Sequence, residues 1–138
     1  MRVELRYATL PFPIGALAVH YWFVVFREGR LGTTCTRWEV WQTRNAGPHC
    51  IGHVHRDLKS PDDGVGGGPP RVAARWEGQT AKKIAEVLQS IENYPYCERY
   101  RYWPGPNSNT FAAWVLREAG IEHALHWKAF GKNYGRKR

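Results

Sequence analysis

The spacing of apolar positions changes along this chain, and each change predicts a different element. Residues 17–26 form an almost unbroken apolar run, Leu17-Ala18-Val19-His20-Tyr21-Trp22-Phe23-Val24-Val25-Phe26. The run is short and rich in β-branched and aromatic side chains, which suit a buried pleated surface better than a helix. Arg27 to Gly32 then reads as a turn, and residues 33–43, with Thr34, Thr36, Trp38, Val40 and Trp41, read as a second strand. The two strands predict a hairpin. A third strand is expected near Cys50 to Val54. Residues 1–15 read as an extended lead-in. Residues 60–70, Ser-Pro-Asp-Asp-Gly-Val-Gly-Gly-Gly-Pro-Pro, predict a flexible surface loop within a single domain.

Past that loop the period lengthens. From Gly78-Gln79-Thr80, the residues Ala81, Ile84, Ala85, Leu88 and Ile91 fall on one helical face, with Lys82, Lys83, Glu86 and Gln89 elsewhere. Tyr94-Pro95 ends that helix. A second helix is expected over about 109–119, with Phe111, Ala112, Val115, Leu116 and Ala119 buried and Gly120 as its stop. The elements together predict a single α+β domain over residues 1–138, a small antiparallel sheet packed by two or three helices, with a basic tail at 135–138.

Composition narrows the function. Lys plus Arg is 20 against 12 Asp plus Glu, a net charge of +8. That excess favours an anionic partner such as nucleic acid, anionic lipid headgroups or a cell-wall polymer, and it also serves as an ordinary solubilising surface. The 43% hydrophobic content, with seven Trp and seven Tyr, supplies a packed core and excludes a disordered chain. Cys35, Cys50 and Cys97 are odd in number and widely spaced, so no disulfide framework is expected and a reducing, cytoplasmic compartment is the simpler reading. Pro11, Pro13, Gly15 and His20 break the stretch 8–26 as a membrane span. The same stretch has Arg2 and Arg6 ahead of it and an Ala16-Leu17-Ala18 sequence resembling a cleavage site, but Glu4 and the prolines count against a secretory signal.

The candidate chemistry centres on Trp103-Pro104-Gly105-Pro106-Asn107-Ser108-Asn109-Thr110-Phe111. A rigid turn runs directly into capping residues and a helix. A side chain there sits at the positive end of the helix dipole, where developing negative charge is stabilised. Ser108 reads either as a nucleophile, which needs a positioned base, or as a helix cap. His20, on the strongest strand, is the candidate base, and also fits a core histidine bonded to a carbonyl. Glu39, on the next strand, is placed to orient His20 or to face solvent. Asn107 and Asn109 are candidate oxyanion or anion contacts, and the backbone N–H groups of Ser108 and Asn109 are candidate oxyanion donors. A rival constellation, Cys50, His53 and His55, is a weak candidate zinc site with only one ligand cluster. Tyr100-Arg101-Tyr102-Trp103 alternates base and aromatic as single-strand nucleic-acid binders do, and as packing residues also do. No cofactor is expected.

Three segments carry a resemblance: Asn93-Tyr94-Pro95-Tyr96, the Tyr102 to Phe111 stretch, and Ala129-Phe130-Gly131-Lys132-Asn133-Tyr134. They resemble a bacterial family known only as a domain of unknown function, marked by WPGPNSNTF and a GKDY-like motif. A more distant likeness is to circularly permuted papain-like proteins, the lecithin:retinol acyltransferase relatives and permuted NlpC-type peptidases. His20-Tyr21-Trp22-Phe23-Val24-Val25 resembles their early histidine strand. Asn107-Ser108-Asn109-Thr110-Phe111 resembles their helix-opening nucleophile motif, with Ser108 in the cysteine's place and Glu39 in the orienting place. The likeness implies a permuted papain-like fold and an acyl hydrolase or acyltransferase acting on an amide, ester or peptide bond. Replacing the thiol by a hydroxyl removes the thiolate mechanism. It leaves either a base-activated serine or a non-catalytic module that binds an anionic polymer.

Overall fold

A computed structural model describes residues 1–14 and 18–136. Gly15, Ala16 and Leu17 lie outside the described residues, so the cleavage-like sequence and the start of the apolar run fall there in part. Lys137 and Arg138 of the basic tail also lie outside them.

Six strands form one antiparallel sheet: β1 (Arg2–Thr9), β2 (Val19–Gly29), β3 (Gly32–Val40), β4 (Cys50–Ile51), β5 (Val54–Arg56) and β6 (Arg71–Glu77). Their spatial order is β4-β5-β3-β2-β1-β6. Two helices follow, α1 (Gly78–Gln89) and α2 (Ser108–Glu118), with a 3-10 turn at Ile91–Asn93 between them. The fold is therefore α+β, as the pattern predicts.

The hairpin of β2 and β3 is longer than expected, because both strands continue until Gly29 faces Gly32 across the tip. Gly32 takes φ +122°, a conformation that side chains with a Cβ rarely adopt. The lead-in is itself a full strand. Residues Arg2 to Thr9 pair with β2 on one side, and Arg2 to Tyr7 pair with β6 on the other. The expected third strand splits into a small hairpin, β4 and β5, turning at Gly52-His53. β6 has no counterpart in the sequence reading. It is a half-exposed edge strand, so its apolar signal is diluted by Arg71, Arg75 and Glu77.

Strand alternation divides the sheet into two faces. Val3, Leu5, Tyr21, Phe23, Val25, Trp38 and Val40 pack against Ala81, Ile84, Ala85 and Leu88 of α1 and Phe111, Ala112 and Val115 of α2. The opposite face carries Trp22 and Val24 beside the buried polar residues Glu4, His20, Arg37 and Glu39. The segment after β5 covers this second face. The expected flexible loop is tied down along its first half. Arg37 donates to the carbonyls of Ser60 and Asp63 at 2.8 and 2.7 Å, Arg6 donates to that of Pro61 at 3.0 Å, and Val65 is buried. Among the described residues, no helix is long and apolar enough to cross a membrane.

Candidate active site

His20 lies near the start of β2 and Glu39 near the end of the adjacent β3, on the same face of the sheet. His20 Nε2 lies 2.6 Å from Glu39 Oε2, with both side chains buried. Arg37, two residues before Glu39 and so on the same face, donates from Nη2 to Glu39 Oε2 at 2.9 Å. Its Nε also lies 2.9 Å from Oε1, an ion contact outside hydrogen-bond alignment. The guanidinium is fully buried over the Trp22 ring, 4.1 Å from the centroid. Burial pushes the Glu39 carboxyl up. The hydrogen bond and charge of His20, with the charge and hydrogen bond of Arg37, outweigh that and hold it below the usual carboxylate range.

An ionised Glu39 accepts, so His20 Nε2 carries the proton it donates. Whenever the ring is neutral, its free lone pair is therefore on Nδ1. Trp22 and Trp41 confine the imidazole, with ring centroids 5.8 and 5.5 Å away.

The N-terminus of α2 meets this histidine across one cavity. A space of about 280 Å³ is lined by His20, Ser108, Asn107 and Asn109, together with Trp41, Gln42, Tyr100 and Tyr102 and the apolar Leu10, Val65 and Phe130. No lining residue carries a carboxylate, ammonium or guanidinium. Ser108 and His20 face this space without a direct hydrogen bond.

The helix cap is Asn107, not Ser108. Asn107 Oδ1 accepts from the backbone N–H groups of Asn109 at 2.9 Å and Thr110 at 3.3 Å. Thr110 Oγ1 returns the favour by accepting from Asn107 N–H at 3.0 Å, completing a capping box. Ser108 is the first helical residue, and among the described residues its hydroxyl and its backbone N–H make no hydrogen bond. Of the two N–H groups expected to meet an oxyanion, that of Asn109 is thus committed to the cap. Asn109's side-chain amide is committed as well, donating to Val19 O at 2.9 Å and Phe130 O at 3.0 Å. Asn107 Nδ2 donates to Tyr102 O at 3.0 Å. Both asparagines line the cavity while their donors hold the helix start in place.

The three sequence segments singled out above converge here. Thr110 Oγ1 donates to Gly131 O at 2.7 Å, and Tyr94 packs edge-on against Phe111 and Trp114. Gly105 and Gly131 take φ +115° and +92°. A Cβ on Gly131 would stand 2.5 Å from the Asn107 amide. The C-terminal segment is therefore a brace beneath the cap. Trp103 meets Phe130 edge-on and stays largely exposed, while Tyr100 and Tyr102 join the cavity wall.

The rival zinc constellation does not assemble. His55 Nδ1 donates to His53 O at 2.9 Å while its Nε2 accepts from Ala46 N–H at 3.0 Å, so both nitrogens are engaged. Burial lowers the pKa of His55, in keeping with a ring whose Nε2 accepts a hydrogen bond. His53 sits at the β4–β5 corner with Nδ1 on Trp41 O, and Cys50 Sγ donates to Gly47 O. Among the described residues, no three His, Cys, Asp or Glu side chains converge on one point.

The sequence reading missed Arg37, because its partners are loop carbonyls 23 and 26 residues further along. The one available signal was its place two residues before Glu39, which puts both on one face of a strand.

A family model described as "Protein of unknown function (DUF3750)" matches residues 1–134. No curated protein and no solved structure matches the chain.

Proposed function

We propose that this chain, which belongs to the DUF3750 family, is a serine-dependent acyl hydrolase or acyltransferase of permuted papain-like architecture. The observation that carries the reading is the pairing of Ser108 and His20 in one cavity, with His20 oriented by Glu39. The order along the chain is histidine, acid, then helix-opening nucleophile, which is the order of the permuted papain-like proteins. The capping geometry supports it too, because a serine spared from capping has its hydroxyl free for chemistry.

In this mechanism His20 Nδ1 takes the proton from Ser108 Oγ as Oγ bonds to the acyl carbon. Glu39 holds the ring and stabilises the imidazolium. The oxyanion forms at the N-terminus of α2, where the Ser108 N–H and the helix dipole favour negative charge. Collapse breaks the bond to the leaving alcohol or amine, which receives its proton from His20 Nδ1. Water or an acceptor alcohol or amine then attacks the Ser108 ester, giving its proton to His20 Nδ1, which returns it to Ser108 Oγ as the acyl–Oγ bond breaks. Base assistance of this kind contributes roughly 10²–10⁴-fold. The uncharged wall fits an apolar acyl group.

The test is covalent labelling by a fluorophosphonate probe, followed by mapping of the labelled peptide. Labelling at Ser108, abolished in Ser108→Ala and slowed in His20→Gln, is the expected result. Labelling that is absent, or unchanged in Ser108→Ala, sinks the catalytic reading and leaves the cavity as a binding site.

A further inference from the structure

A second concave site adjoins the reaction cavity across Val19, a residue that lines both. It encloses about 190 Å³ and is walled by Tyr7, Thr9, Arg71, His126 and Lys128. Its charge is one-sided. Arg71 and Lys128 contribute two cations, no Asp or Glu lines it, and neither cation forms an ion pair among the described residues. By contrast, Arg2 and Arg6 of β1 and Arg75 of β6 are all gathered on Glu4.

The site is also held in place. Arg71 pairs in register with Tyr7 of β1. Lys128 is fixed through its carbonyl, which accepts from Val19 N–H at 3.2 Å. His126 Nδ1 accepts from Lys128 N–H at 3.0 Å, and the His126 backbone N–H donates to Tyr21 Oη at 2.9 Å. Val19 therefore links the cationic hollow to the machinery in both directions, since its own carbonyl accepts from Asn109 and its neighbour is His20.

We propose that this hollow is an anion subsite, and that the acyl compound processed at Ser108 carries a carboxylate or phosphate that Arg71 and Lys128 hold. Two unpaired cations in a concave, carboxylate-free site recognise an anion through charge-assisted hydrogen bonds. The uncharged reaction cavity excludes that charge from the acyl-transfer centre itself. The substrate is thus an ester or amide with an apolar acyl part and a negatively charged substituent outside the reaction cavity. The assignment of a substrate rests on the acyl-transfer reading, whereas the anion subsite does not.

The experiment separates the two. Inorganic phosphate and acetate are titrated in turn into the full chain carrying Ser108→Ala, at constant ionic strength, with ¹H–¹⁵N NMR as readout. Saturable shifts centred on Arg71, His126 and Lys128 are expected with at least one of the two anions, and the tighter one identifies the substituent. Arg71→Gln with Lys128→Gln should weaken that binding by at least tenfold, while Arg99→Gln, remote from the hollow, should leave it unchanged. Lys128→Gln alone, a partly exposed change, serves if the double variant fails to fold and should weaken binding by several-fold. No saturable shift with either anion, or a midpoint unmoved by these substitutions, overturns the subsite. Fluorophosphonate labelling of the Arg71→Gln/Lys128→Gln protein at wild-type rate would show that the subsite acts on the anion and not on Ser108.

Discussion

His20 Nε2 and Glu39 Oε2 stand 2.6 Å apart on adjacent strands, and both are buried. A pair this short between an imidazole and a carboxylate fixes which ring nitrogen is left for other work. The same carboxylate oxygen also accepts from Arg37, a residue with no exposure to solvent. Glu39 thus joins two functions: it orients His20 and it neutralises a buried guanidinium.

Substituting Glu39 should separate those two functions. Glu39→Gln removes the charge that Arg37 needs, and an unpaired buried charge costs about 3–5 kcal/mol. Equilibrium urea unfolding is expected to show a loss of that size. Glu39→Gln together with Arg37→Met removes both charges and should recover much of it, because no buried ion is then left unpaired. Fluorophosphonate labelling should remain low in the double variant, since Met and Gln restore packing without restoring an ionised partner for His20. Equal stability losses in the single and double variants would contradict the paired-charge account.

The depressed Glu39 carboxyl gives the fold an acid limb. Its folded value lies below the unfolded one. Its contribution is therefore complete above the ordinary carboxylate range and is lost as pH falls through the depressed value. His55 acts in the same direction at higher pH. Burial holds its folded value down, so protonation of the unfolded chain draws stability away as pH falls below the usual histidine range. Unfolding free energy measured against pH should fall in two stages, the upper one missing in His55→Gln and the lower one flattened in Glu39→Gln. A single stage unchanged by either substitution would count against both assignments.

How far the sequence carried these assignments follows from how local each signal is. The β2–β3 hairpin and both helices were legible because their patterns lie within a few turns or strand residues of themselves. His20 and Glu39 were legible as neighbours for the same reason: a short hairpin brings them together. β6 was not, since an edge strand buries little and its Arg71, Arg75 and Glu77 erase the alternation. The identity of the cap was not legible either. Asn107, Ser108, Asn109 and Thr110 are all competent caps, and the choice among them involves the Gly131 and Phe130 carbonyls, 21 residues away from Thr110 and Asn109. Arg37 was hidden because a lone arginine on a strand ordinarily faces water.

That choice of cap gives a contrast between neighbours. Ser108→Ala removes a hydroxyl with no hydrogen bond among the described residues, so stability should change by no more than about 0.5 kcal/mol. Asn107→Ala deletes the acceptor of two helix N–H groups and should cost about 1–2 kcal/mol. Thermal unfolding of the two variants checks this directly. The labelling result should run the other way for Ser108, which loses all reaction while keeping its fold. A large stability loss in Ser108→Ala would return that residue to a structural role.

Gly131 is the position where the C-terminal brace and the cap compete for the same space. Its φ of +92° disfavours any residue with a Cβ, and that Cβ would meet the Asn107 amide at 2.5 Å. Gly131→Ala should therefore destabilise the protein by about 1–3 kcal/mol through strain and overpacking. Because the clash is with the cap itself, the cost should not add to that of Asn107→Ala. Removing the Asn107 amide makes room for the new methyl group, so the double variant should lose less than the sum of the single ones. A double-mutant cycle by urea unfolding measures the difference. Full additivity would mean that the Gly131 strain is purely its own backbone's, and that the brace does not act on the start of α2.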